Sequence, residues 1–111
     1  VLPQCETREA VECIDEIVAL DGVDGIFIGP YDLSIALGKP AAFTDPVVAG
    51  AFDKVLEACK RNGKYCFIYA PHAQAAQAYF EKGYRGACIS SDIIEIGGAF
   101  SKIAAEFAPK G

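Results

Sequence analysis

Two acidic residues stand just past the ends of separate apolar runs. Glu6 follows the run over residues 1–5 (VLPQC), and Asp32 lies four residues beyond the run over 25–28 (GIFI). Two carboxylates aimed into one opening repel each other unless a proton or a cation sits between them. Mg²⁺ and Mn²⁺ commonly accept one or two carboxylates and fill an octahedron with water and substrate oxygens. Two carboxylates alone are only a weak signal for a divalent-cation site. More polar residues gather after the same kind of run: Gln4 beside Glu6, Gly29-Pro30-Tyr31 ahead of Asp32, Ala70-Pro71-His72, and Ser90-Ser91-Asp92. Ligands of parallel α/β folds bind beyond the C-terminal ends of the strands, so these segments are expected to converge on one rim. Thr7 and Asp92 are equally explained as helix caps, which strand-to-helix loops need in any case.

The elements that would position these residues alternate. The apolar runs 1–5, 25–28, 65–69 and 87–89 read as strands, too short for helices and rich in strand formers. Helical spacing predicts a helix over residues 8–20, with Ala10, Cys13, Ile14, Ile17 and Val18 on one face and Glu9, Glu12, Asp15 and Glu16 on the other. Asp45 as cap with Pro46 at the first position starts a second main helix whose face is Val48, Ala51, Phe52, Val55, Leu56 and Cys59, ended by Asn62-Gly63. A third runs over 72–82 and stops at Gly83. A fourth, capped by Asp92, carries the stripe Ile93, Ile96, Phe100, Ile103 and Phe107. The connection over 29–44 is long, with a short helical turn near 33–37, and long ordered connections are usually functional. Four strand–helix units predict a parallel α/β sheet with both strand faces covered. A small doubly wound sheet and half of an eight-stranded barrel both fit that rhythm.

Composition narrows the partners. A net charge of −5 argues against nucleic acid, since nothing here would neutralise a run of phosphates. No apolar run approaches the roughly 20 residues needed to cross a bilayer, so no membrane partner is expected. The five cysteines form no CxxC pair and predict reduced, buried thiols in a cytoplasmic protein. A single histidine makes a Cys/His zinc site improbable.

The segments Leu2-Pro3-Gln4-Cys5-Glu6-Thr7 and Gly25-Ile26-Phe27-Ile28-Gly29-Pro30-Tyr31-Asp32-Leu33-Ser34 resemble the two signature stretches of the HpcH/HpaI aldolases, QxET and GxFxGPxDLS. The resemblance extends over essentially the whole chain. It implies one domain over 1–111, the C-terminal half of a (β/α)8 barrel holding the equivalents of strands five to eight. It also implies a metal-dependent pyruvate aldolase acting on 4-hydroxy-2-keto acids. By the same resemblance Glu6 and Asp32 are the metal ligands, for Mg²⁺ or Mn²⁺ with Co²⁺ as an alternative. Gln4 orients pyruvate or its water, and Gly29, Pro30, Tyr31 and Asp32 form the substrate-binding loop. Tyr31 falls at a variable position, where its ring would set pocket shape.

The family's catalytic histidine and its keto-binding arginine have no counterpart here. His72 reads as a rim or helix-start residue, and Arg8 and Arg85 as surface charges. The chain is therefore expected to be completed by an N-terminal half barrel or by homo-oligomerisation. A non-catalytic half-barrel scaffold or metal- and pyruvate-binding module is one alternative. A citryl- or malyl-CoA lyase-like enzyme is another, disfavoured by the GPxDLS stretch.

Overall fold

A computed structural model of the chain describes residues 1–109. Its strands are β1 (Gln4–Cys5), β2 (Gly25–Ile28), β3 (Tyr65–Ala70) and β4 (Gly86–Ile89). All pair in parallel, in the order β1-β2-β3-β4. Consecutive strands are neighbours throughout, with none of the order reversal that marks a doubly wound sheet. Of the two architectures the sequence allowed, this is the one that continues into a barrel.

The helices are α1 (Arg8–Glu12), α2 (Ile14–Val18), α3 (Pro30–Ala36), α4 (Pro46–Arg61), α5 (Ala73–Lys82) and α6 (Asp92–Glu106). The helix predicted over 8–20 is two short ones, broken at Cys13. Glu9, Glu12, Asp15 and Glu16 sit three or four residues apart, and like charges at that spacing disfavour a continuous helix. The break also re-aims the buried face: Val11, Ile14 and Val18 are buried, while Cys13 is exposed. In α4 the reading holds. The Asp45 carboxylate accepts the Val47 N–H at 2.9 Å. That bond, with help from Lys39, holds the Asp45 carboxyl below its usual range. Val48, Ala51, Phe52, Val55, Leu56 and Cys59 all pack inward. Gly83 closes α5 at φ +108°, a left-handed geometry that a side chain would strain.

The two faces of the sheet differ. Ile26, Ile28, Cys66, Ile68 and Ala70 point into the helical layer and are at most 1% exposed. Each of the isoleucines among them contributes about 1.5–3 kcal/mol of burial. The alternate residues Phe27, Phe67 and Tyr69 are only partly covered, and Tyr65 is exposed. The expectation that both strand faces are covered is thus met on one face only. The other is an open inner face, on which Phe67 lies over Gly86 of β4, where any side chain would collide with the ring.

The last helix departs from expectation as well. Asp92 does not cap it: Ser91 is the cap residue, and Asp92, already helical, accepts its neighbour Ile93's N–H at 2.8 Å. None of its residues is buried, and Ile93, Ile96, Phe100, Ile103 and Phe107 are 53–82% exposed. The radius of gyration is accordingly 16.8 Å, against about 13 Å for a compact domain of this size. No helix of the described residues is long and apolar enough to cross a membrane.

Cysteine burial is likewise uneven. Cys5, Cys59 and Cys66 are buried, but Cys13 and Cys88 are exposed, correcting the uniform expectation. Cys13 sits at the α1–α2 break, and Cys88 shares the open inner face with Tyr69, its partner across the ladder. Burial pushes the Cys5 thiol up to about 11, so it stays protonated and unreactive at neutral pH. Brief iodoacetamide treatment of the native chain at pH 8 is expected to add two carbamidomethyl groups, at Cys13 and Cys88, with five in denaturant. Adducts on Cys5 in the native chain, read by mass spectrometry, would contradict this packing.

Candidate active site

Glu6 and Asp32 line one cavity of about 310 Å³ at the C-terminal ends of β1 and β2. They reach it by different routes. β1 pairs with β2 so that Cys5 stands beside Ile28, and the next step of the ladder puts Glu6 beside Gly29. The Gly29 N–H donates to the Cys5 carbonyl at 3.4 Å, closing that step. A Cβ on Gly29 would lie 2.6 Å from Glu6 Oε1 and 3.0 Å from its Cγ. Glycine is required here by close approach, because the carboxylate occupies the space a side chain would fill.

Asp32 arrives by a helix. The sequence predicts helix only from about residue 33, but α3 begins at Pro30, with Gly29 as its cap. Proline fits the first helical position, since its missing N–H would be unpaired anyway. Asp32 is therefore in the first helical turn, where a negative charge meets the positive end of the helix dipole. Of the four residues 29–32, Gly29 already spends its N–H on Cys5 and Pro30 has none. Only the Tyr31 and Asp32 amides remain to receive an anion there.

Among the described residues, neither carboxylate is in an ion pair, and no cluster of three or more His, Cys, Asp or Glu is present. Two unpaired acids sharing a concave site are a donor set suited to a hard divalent cation that keeps several waters.

The remaining expected residues divide. Pro30 and Tyr31 line the cavity with Gly29, and so does Ser91 from the β4 end. Gln4 lies in the β1 ladder opposite Phe27 and is not part of the lining. His72 is also outside it. It caps α5, its Nδ1 accepting the Ala75 N–H at 3.1 Å, as its helix-start reading implies. Ser90 donates to the Glu95 carboxylate instead of facing the cavity. Two lining residues were missed: Phe27 and Tyr69, both mid-strand. The period-two alternation of β2 and β3 was the signal that could have placed them on the inner face.

Ser34 closes the GxFxGPxDLS stretch. It is fully buried; its hydroxyl donates to the Tyr31 carbonyl at 2.6 Å and accepts the Ala41 N–H at 2.9 Å. It thereby ties the turn bearing Tyr31 and Asp32 to the connection that follows α3.

The sequence matches the family described as HpcH/HpaI aldolase/citrate lyase over residues 1–96. It is 36% identical over 107 residues to the 5-keto-4-deoxy-D-glucarate aldolase of Citrobacter koseri, covering 96% of this chain and 42% of that protein. The corresponding aldolase of an Enterobacter species is 37% identical with the same coverage. Among solved structures, an HpcH/HpaI aldolase/citrate lyase family protein from Burkholderia cenocepacia superposes with a TM-score of 0.87 at 35% identity. That match covers 94% of this chain and 40% of the other. The HpcH/HpaI aldolase of Desulfitobacterium hafniense gives a TM-score of 0.86 at 29% identity, covering 97% and 42%. The chain thus spans 42% of the length of the curated relatives it matches. Its fold is half of a (β/α)8 barrel.

Ser34→Ala leaves the Ala41 N–H without its acceptor. It is expected to destabilise the chain by about 1–3 kcal/mol. Urea unfolding followed by circular dichroism measures this, and an unchanged midpoint would remove the tie assigned to Ser34.

Proposed function

The chain belongs to the HpcH/HpaI aldolase/citrate lyase family, and on that premise we propose that it is the metal-holding half of a class II pyruvate aldolase. The reaction is cleavage or formation of 4-hydroxy-2-keto acids, with pyruvate as the enolate component. The observation that carries this reading is the meeting of Glu6 and Asp32, from different elements, at one strand-end cavity. The domain is read as the C-terminal half, holding the equivalents of strands five to eight.

Glu6 and Asp32 would hold the cation, Mg²⁺ or Mn²⁺ by the hardness of two carboxylate oxygens. When bound, the cation supplies Lewis-acid stabilisation of the negative charge that develops on an enolate. Gly29 keeps the Glu6 carboxylate upright by leaving room for it. The Tyr31 and Asp32 amides, in the first turn of α3, receive the pyruvate carboxylate. Gln4, one residue pair below Glu6 on the inner face, is placed to hold water rather than to touch the lined cavity.

Among the described residues no histidine, lysine or arginine lines the cavity, and this favours a second reading in which the chain alone binds without turning over. The general base and the keto-binding cation would then come from the other half of the barrel. The exposed stripe on α6 and the open inner face support assembly with that half or with a second copy, in a cytoplasmic protein acting on a small 2-keto acid. Sedimentation of the chain at micromolar concentration is expected to show a species larger than the monomer. A clean monomer would count against assembly through these faces.

In the complete barrel containing this chain, Glu6→Gln and Asp32→Asn are each expected to lower metal-dependent pyruvate release by about 100-fold or more. Chelation with EDTA should do the same to the unsubstituted enzyme, and added Mn²⁺ should restore it. Full activity in either variant would remove the metal assignment.

A further inference from the structure

A second cavity, about 320 Å³, lies at the opposite end of the sheet, where β3 and β4 begin. Its walls are α4, the turn at Gly63, the start of β3 and the turn between α5 and β4, all from this chain. Two of its lining residues carry thiols, Cys59 from the last turn of α4 and Cys66 from the second position of β3. The path of the chain brings them together. After α4 ends, Gly63 turns in the left-handed region at φ +64°, and the Lys64 N–H returns to the Cys59 carbonyl at 2.9 Å. The strand then runs back beneath the helix it has just left, and the two thiols meet between them.

The pair is not symmetric. The Cys66 thiol donates to the Cys59 sulfur, and this bond, with help from the Ile26 backbone, holds the Cys59 thiol below its usual range in spite of burial. The same bond, and then burial, push the Cys66 thiol up. One sulfur is thus readied to attack, and its neighbour keeps its proton. Reactive and resolving cysteines divide their work in this way. Cys5, the third buried thiol of this core, is pushed up by burial instead. Cys59 and Cys66 are at most 1% exposed, which shuts out bulky thiol reagents. Hydrogen peroxide is little larger than water and needs only the cavity as its way in.

We propose that Cys59 and Cys66 form a peroxide-sensitive dithiol, which closes reversibly to a disulfide tying the last turn of α4 to β3. This stands apart from the aldolase reading, since neither residue is near the strand-end acids. Cys59, as thiolate, attacks one peroxide oxygen; the S–O bond forms as the O–O bond breaks. The departing hydroxide takes up the proton that Cys59 released and leaves as water. The Cys66 sulfur then attacks the Cys59 sulfenic acid, the S–S bond forms, and the S–O bond breaks. The Cys66 proton leaves with that hydroxide as a second water. Peroxide gains two electrons and the two thiols lose them. A disulfide of this kind in a reducing compartment is transient, as in redox sensing.

The test treats the complete barrel containing this chain with hydrogen peroxide. Remaining thiols are then alkylated with iodoacetamide in denaturant, and tryptic peptides are mapped without reduction. Trypsin cuts between the two cysteines, so their disulfide joins peptide 55–60 to peptide 65–82. The expected result is this linked pair, two hydrogens lighter than its free peptides together. It is expected to form before Cys13 and Cys88 lose their carbamidomethyl groups, and to be undone by dithiothreitol. In Cys66→Ala the link is lost and dimedone marks a sulfenic acid at Cys59; in Cys59→Ala dimedone leaves Cys66 unmarked. Cys66→Ser and Cys59→Ser serve should an alanine variant fail to fold, and the map of the unsubstituted protein stands without any variant. No linked pair once Cys13 and Cys88 are oxidised, or a link from either thiol to Cys5 in its place, overturns the proposal. Dimedone at Cys66 in the Cys59 variants overturns it equally, because the attack would then come from the wrong sulfur.

Discussion

The parallel ladder between β1 and β2 fixes the spacing of the site's two acids. Cys5 stands opposite Ile28, both buried beneath the helices, and this pins the register. A slip of one residue would turn Cys5 to the open face and drive the Glu6 carboxylate into the core, where an unpaired charge is prohibitively costly. With the register held, Glu6 leans over Gly29, and the chain turns at once into α3 through a proline whose φ is already helical. Asp32 follows within one helical turn. The separation between the carboxylates is therefore set by a strand ladder and one turn of helix, with no flexible segment between them. Sites built on regular elements hold their geometry more closely than sites built on loops.

The same pleat that buries Cys5, Ile28 and Ile68 exposes their neighbours. Phe27, Phe67 and Tyr69 stand on the opposite face, which in a closed barrel is the interior and here has no second half above it. Gly86 is small because the Phe67 ring crosses it, an arrangement suited to layered side-chain packing inside a barrel. The open face and the exposed stripe of α6 are both apolar surfaces of the kind that barrel packing covers.

Much of this was legible in the sequence, for reasons that vary by residue. Asp45-Pro46 and Gly83 were readable because capping chemistry is local: a carboxylate meeting an amide two residues on, and a left-handed residue that only glycine adopts without strain. The run 25–28 matched β2 residue for residue, being bounded by glycines and too short for a helix. The break at Cys13 was hidden because the apolar period fits a single helix, and the charge repulsion that opposes it does not enter a count of apolar spacing. The start of α3 at Pro30 was hidden because the family motif reads as a loop, so Asp32 was expected past a strand and lies inside a helix. Phe27 and Tyr69 were missed because attention to strand ends overlooks the side chains just below them.

The two ends of the sheet divide the work of holding the fold and doing chemistry. At the end away from the cavity, Lys60 donates to the Lys82 carbonyl at 3.1 Å and Lys64 to the Val23 carbonyl at 2.6 Å. Those lysines satisfy carbonyls where helix and turn backbones run out, and a cation near a helix C-terminus also answers its dipole. Positive charge there is consumed by the backbone. At the cavity end, among the described residues, the Tyr31 and Asp32 amides stay open and neither the Glu6 nor the Asp32 carboxylate is in an ion pair. A fold stabilised for its own sake would pair such groups. Leaving them unsatisfied at one rim, while lysines tie the other, is the arrangement expected of a sheet whose C-terminal rim keeps its polar groups for a ligand.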